Sequence, residues 1–169
     1  MREETTNFDR KSLLTVVGKT ADFDELAKDC VAFANAKGGH IHIGIENNKK
    51  YPPEGQTIPE DLPGKVVLRI SQLTINTQVT AVPCVADNGA EYIDLYIQYN
   101  ISSIAGTTDG KYYIRIGDQS VPLHPDQLMR LLNDKPSFNW ELITTKVPVA
   151  ACDTEKKLNF LSAIRESQR

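Results

Sequence analysis

The sequence is poor in sulfur, in long apolar runs and in surplus positive charge. Its three cysteines, Cys30, Cys84 and Cys152, lie far apart and form no CxxC pair. A zinc ribbon needs ligands at close spacing and a disulfide framework needs an even count, so neither is supported. Unpaired thiols without a signal-peptide pattern point to a reducing, cytoplasmic setting. No apolar run approaches the roughly 18 residues that a membrane-spanning helix needs. Lys and Arg number 19 against 22 Asp and Glu, for a formal net charge of −3 and a pI of about 5.6. A domain whose whole surface binds nucleic acid is usually basic, so any such site here must be a local face.

Nucleotide cradles are missing too. Gly38-Gly39 is not GxGxxG, and it ends a helix, whereas phosphate cradles use the outward N–H groups of a helix start. "GKT" at Gly18–Thr20 resembles the end of a Walker motif, but "SLLTVV" upstream lacks its first glycine.

What is present reads as an ordinary globular chain of 169 residues, 40% hydrophobic and 24% charged. "TADFDELAKDCVAFANAKGG" predicts a helix. Thr20 or Asp22 can cap it, acids fill its first turn, and Leu26, Cys30, Phe33 and Ala34 form one apolar stripe closed by Lys37 and Gly38. "HIHIGIE" alternates, with Ile41, Ile43 and Ile45 on one face and His40, His42 and Gly44 on the other. The two histidines stand close enough to share a metal. Without a cysteine or carboxylate at ligand spacing, polar residues on the solvent face of an edge strand are the commoner reading.

Further along, "GKVVLRISQLTIN" predicts a second helix. "QVTAVPCVA" and "EYIDLYIQYN" predict strands joined by a hairpin at Asp87-Asn88-Gly89. "KYYIRIG" is a strand, "SVPLHPDQLMRLLND" a helix in which His124 precedes the first-turn proline, and "DTEKKLNFLSAIRESQR" a last helix. Helices on a mixed, largely antiparallel sheet make the expected fold class α+β. Residues 1–135 are expected to form the domain. Residues 136–169 are expected to be an extension with a helix that leads into a further domain, because "SAIRESQR" breaks off inside that helix.

Two sets of charged residues are candidate sites. Glu4, Asp9 and Glu46 would make a carboxylate trio for a divalent ion if the fold brings them together. Scattered solvated acids are the plainer alternative. Lys11, Lys37, Lys49, Lys50, Lys111 and Arg115 fall mostly at element ends and would form a phosphate-contacting patch if they converge.

Three stretches together resemble the Schlafen AlbA-like domain. "LAKDCVAFANAKGGHIHIGIENN" matches a helix ending A-F-A-N-x-x-G-G followed by a strand with I-G-I. "YYIRIGDQSVPLHPDQLMRLL" resembles its Y-x-R-x-G strand, turn and helix, and "NFDRKSLL" stands where E-F-K is usual. The resemblance implies an α+β fold in which Asn35, Gly38 and Gly39 shape the helix-to-strand corner. It implies nucleic-acid binding, with DNA the expected partner and Lys11, Lys37, Lys111 and Arg115 the contacts, in a non-catalytic domain of a bacterial transcriptional regulator. No cofactor is expected, and a homodimer is the expected assembly.

Two alternatives stay open. Vertebrate Schlafen relatives include ribonucleases that use three carboxylates. Glu4 and Asp9 match the first two positions, and Glu46 or Asn47 the third, with Mg²⁺ or Mn²⁺ as the ion. The departures weigh against it: Asp9 replaces the usual glutamate, Arg10 replaces the phenylalanine, and each lost charged oxygen lowers metal affinity. The other alternative is a protein-interaction or dimerisation module.

Overall fold

The computed structural model describes residues 6–135 and 153–167, which fall in two units. In the first unit the chain runs β1 (Phe8–Lys11), a 3-10 turn (Leu13–Thr15), α1 (Phe23–Ala36), β2 (Gly39–Ile43), α2 (Leu62–Leu73), β3 (Thr74–Ile75) and β4 (Val79–Val85). It continues through β5 (Glu91–Ile97), β6 (Gly106–Thr107), β7 (Tyr113–Ile116), β8 (Gln119–Pro122) and α3 (Pro125–Asn133). The second unit contributes one described helix, α4 (Thr154–Ser167).

The main sheet has the order β1-β2-β5-β4. β1 runs parallel to β2, and the other pairings are antiparallel. Two short ribbons, β3 with β6 and β7 with β8, complete an α+β fold. β2 therefore lies between two partners and is not an edge strand. The alternation of its histidines with isoleucines fits either position, and the unanticipated strand β1 decides it.

Register explains the layering. Ile41 pairs with Leu95 and Ile43 with Ile93, and all four are fully buried beneath Leu26, Cys30 and Phe33 of α1 and Val66 and Ile70 of α2. Each such side chain removed from water contributes about 1.5–3 kcal/mol. Successive strand residues point to opposite faces. The opposite face therefore carries Phe8 and Arg10 of β1, His40 and His42 of β2, and Tyr96 and Asp94 of β5 in matching register.

The corner between α1 and β2 is set by local chemistry. The Asp22 carboxylate accepts the Glu25 N–H at 3.0 Å and caps α1. At the other end the Gly38 N–H donates to the Phe33 carbonyl at 2.8 Å. Gly38 adopts a φ of +67°, and a Cβ there would stand 2.7 Å from the Ile97 carbonyl oxygen. Asn35 holds the far side of the corner: its Nδ2 donates to the Ala105 and Tyr113 carbonyls at 2.9 and 2.8 Å, and its Oδ1 accepts the Ala105 N–H at 2.8 Å. A buried amide that satisfies three backbone groups ties α1 to the β6–β7 segment.

Candidate functional site

Asp9 and Lys11 of β1 point to the helix-covered side of the sheet, toward Asp29 on α1 and Arg115 on β7. Lys11 Nζ lies 3.2 Å from Asp9 Oδ2 and 3.0 Å from Asp29 Oδ2. Arg115 Nη1 lies 3.4 Å from Asp9 Oδ2, and its guanidinium stacks 4.7 Å from the centre of the Phe33 ring. The remaining oxygens are taken as well. Asp9 Oδ1 accepts the Arg10 N–H at 2.8 Å, and Asp29 Oδ1 accepts the Ser120 hydroxyl at 2.6 Å.

Two carboxylates and two cations thus balance inside a nearly closed cluster. Burial opposes the charge on Lys11, but Asp29 and then Asp9 outweigh it and raise its pKa above 10.5. Burial first, and Asp29 second, push the neighbouring Cys30 thiol far up.

This cluster floors a cleft of about 300 Å³ whose rim includes Glu25, Lys28, Asn47 and Asp118. Glu25 and Lys28 also line an adjoining cleft of about 420 Å³ that reaches Lys111. Of the residues expected to contact nucleic acid, Lys11 and Arg115 are therefore brought together, and Lys111 stands one cleft away, paired with Asp109 at 2.7 Å. Lys37 is exposed at the C-terminal end of α1, about 20 Å along the helix axis from the capping Asp22. Glu46 is exposed just beyond β2, Asn47 and not Glu46 lines the Asp9 cleft, and Glu4 lies outside the described residues.

A family model described as Schlafen, AlbA_2 matches residues 4–124. The chain belongs to this Schlafen AlbA_2 family. The crystal structure of the DIP2311 protein from Corynebacterium diphtheriae is similar in fold, with a TM-score of 0.57 at 17% identity. The similarity covers 90% of this chain and 28% of that one, so the chain spans under a third of that protein's length. Among curated proteins, none matches the chain at a significant level.

In this Schlafen AlbA_2 domain the described carboxylate oxygens around Asp9 already have partners within the chain. The ammonium of Lys11 bridges Asp9, one member of the expected trio, and Asp29, which is not a member of it. No group of three or more His, Cys, Asp or Glu among the described residues is arranged to hold a metal. Nor does any described helix have the length and apolarity to cross a membrane.

Asp29 carries half of the cluster's negative charge, and sequence reasoning passed over it. Its signal was an acid on α1 beside Cys30, next to the apolar stripe. The second feature missed is Asp94 on the open sheet face. There His40 Nδ1 lies 2.9 Å from Asp94 Oδ1, and His42 Nε2 lies 3.7 Å from the same oxygen. Asp94 thus supplies the carboxylate neighbour that the histidine pair lacked in sequence. The signal was "EYIDLYI", whose alternation sets Tyr92, Asp94 and Tyr96 on one face.

Proposed function

We propose that this domain binds nucleic acid without cutting it and serves as the DNA-binding part of a transcriptional regulator in the cytoplasm. The observation that carries the reading is the clamp on Asp9 and Asp29. A metal-dependent nuclease needs free carboxylate oxygens, and here each of these carboxylates is held by a cation of the same chain. Family membership supports nucleic acid as the partner.

The supporting chemistry lies along the two adjoining clefts. Lys28 pairs with Glu25, and Lys111 with Asp109. Exposed pairs of this kind are worth about 0–1 kcal/mol, so a phosphate can displace the acid at little cost. Releasing counterions from the DNA then drives association. Asp24, Glu25 and Asp118 on the same rims hold the affinity down, so binding is expected to be modest and sensitive to salt.

The test is to incubate the purified chain with duplex DNA and transfer RNA in Mg²⁺ and in Mn²⁺, then resolve the products on a denaturing gel. Intact nucleic acid is expected, together with a retarded band on a native gel. Cleavage that disappears in Asp9→Asn would overturn the non-catalytic reading.

A further inference from the structure

The two buried arginines differ in one respect. Both are 5% exposed with an Nε that has no hydrogen-bond partner among the described residues, but Arg115 is paired with Asp9, whereas no acid among the described residues is paired with Arg10. Its guanidinium lies 5.1 Å from the centre of the Phe8 ring. A buried cation without an anion is costly. Its planar N–H donors match a phosphate or carboxylate brought from outside.

Arg10 lines a groove of about 330 Å³ on the open sheet face, together with Phe8, His42, Lys50, Tyr51 and Tyr92. The rings form a run. Phe8 meets His42 edge-on with centres 4.8 Å apart, and His42 lies 4.9 Å from Tyr92. Lys50 Nζ hovers 4.8 Å from the Tyr51 ring, and the Tyr51 hydroxyl donates to Asp87 at 3.0 Å. Among the described residues Asp87 is thus the one acid lining this groove, and Tyr51 already engages it. Further along the same face, His40 and Tyr96 continue the aromatic row, with ring centres 5.0 Å apart.

We propose that this groove takes one nucleotide unit of a single-stranded nucleic acid, its phosphate on Arg10 and Lys50 and its base against the Tyr92 and His42 rings. This rests on the nucleic-acid reading above and names the form of the strand. The volume lies at the small end of ligand pockets, which run from about 300 to 1,000 Å³, and so suits one unit and not a longer segment. Paired cation and ring surfaces bind unpaired bases because every base has a face to stack, while a duplex keeps its faces covered. Neighbouring nucleotides would follow the row toward Tyr96.

The experiment is a fluorescence-anisotropy titration of the full chain with labelled oligothymidylate, with the same strand annealed to its complement, and with unlabelled thymidine monophosphate as competitor. The single strand is expected to bind at least about fivefold tighter than the duplex at equal salt. Lys50→Ala and Tyr92→Leu should each weaken the single strand by about fivefold or more and leave the duplex unaffected. Lys50 is exposed, so its variant reports on binding whether or not Tyr92→Leu folds. Equal affinity for both forms, or variants that bind the single strand like the parent, would overturn the groove assignment and leave duplex binding standing. Competition by the monophosphate at the oligonucleotide's own affinity would make it a free-nucleotide site and contradict the strand. Binding of neither form would overturn this inference and the nucleic-acid reading together.

Discussion

Lys11 Nζ and Asp29 Oδ2 lie 3.0 Å apart and join the edge strand β1 to the middle of α1. The Asp29 side chain is 4% exposed and that of Lys11 24%, so water screens the pair only from one side. Removing the acid leaves Lys11 and Arg115 sharing Asp9 alone. Asp29→Asn is expected to cost about 3 kcal/mol, the range for breaking a buried pair, read as a lowered urea midpoint at unchanged slope. In the double variant with Lys11→Met the losses should fall short of additive, because both report one network. Additive losses would mean that the two groups act independently.

Lys11 also sets a pH dependence with a definite sign. Its folded pKa is raised above 10.5 by Asp29 and Asp9, which outweigh burial. A raised pKa contributes stability that is fully present below the unfolded value and is lost as pH climbs through the folded one. Unfolding free energy attributable to Lys11 should therefore be flat from about pH 6 to 9 and fall above about pH 10.5. Lys11→Met should flatten that alkaline limb. Parallel curves for parent and variant in this range would remove Lys11 as its source.

Asn35 is expected to be less replaceable than its small size suggests. Asn35→Ala would leave an N–H and two carbonyls of the β6–β7 segment without their partner, at roughly 3 kcal/mol. Asn35→Asp should be worse, because a carboxylate would face the Ala105 and Tyr113 carbonyls that the amide now serves. Thermal unfolding of the two variants checks the order, and an aspartate variant as stable as the parent would contradict it.

Gly39→Ala tests the same corner from the strand side. An added Cβ would run into the Asn7 backbone, with the Asn7 carbonyl carbon 2.7 Å away. Asn7 is the residue whose carbonyl accepts the His40 N–H at 3.1 Å as β1 docks on β2. A loss of about 1–3 kcal/mol is expected, with faster amide exchange at His40 as its local signature.

Thiol chemistry separates two of the cysteines. Cys30 is fully buried, and burial with Asp29 beside it holds its thiol protonated. Cys84 is partly accessible on β4. Brief alkylation of the native chain followed by peptide mass spectrometry should label Cys84 and spare Cys30 until denaturant is added. Early labelling at Cys30 would show that α1 opens from the sheet.

Much of this architecture was legible because local chemistry and fold agree. The capped, striped segment from Asp22 to Gly38 became α1, Asp87-Asn88-Gly89 became the turn between β4 and β5, and the alternation after Gly39 became a strand with its isoleucines inward. β1 was not legible. Phe8, Asp9, Arg10 and Lys11 mix a ring with three charges and show no apolar period, since one face of that strand buries an ion cluster in place of aliphatic groups. The Arg115–Asp9 pair spans more than a hundred residues, and no spacing rule joins them. The same blindness hid Asp29, whose role exists only once β1 lies beside α1.

The most direct measurement is the salt dependence of DNA binding, taken by fluorescence anisotropy with labelled duplex and single strand between low and physiological salt, with EDTA in one arm and Mg²⁺ in the other. Binding is expected to fall linearly with the logarithm of salt concentration, at a slope set by the few phosphates contacted. It should be the same in both arms, with every oligonucleotide recovered intact. Affinity that appears only with Mg²⁺, or strands shortened in that arm, would contradict a domain that binds without cutting. Absence of binding at the lowest salt would contradict nucleic acid as its partner.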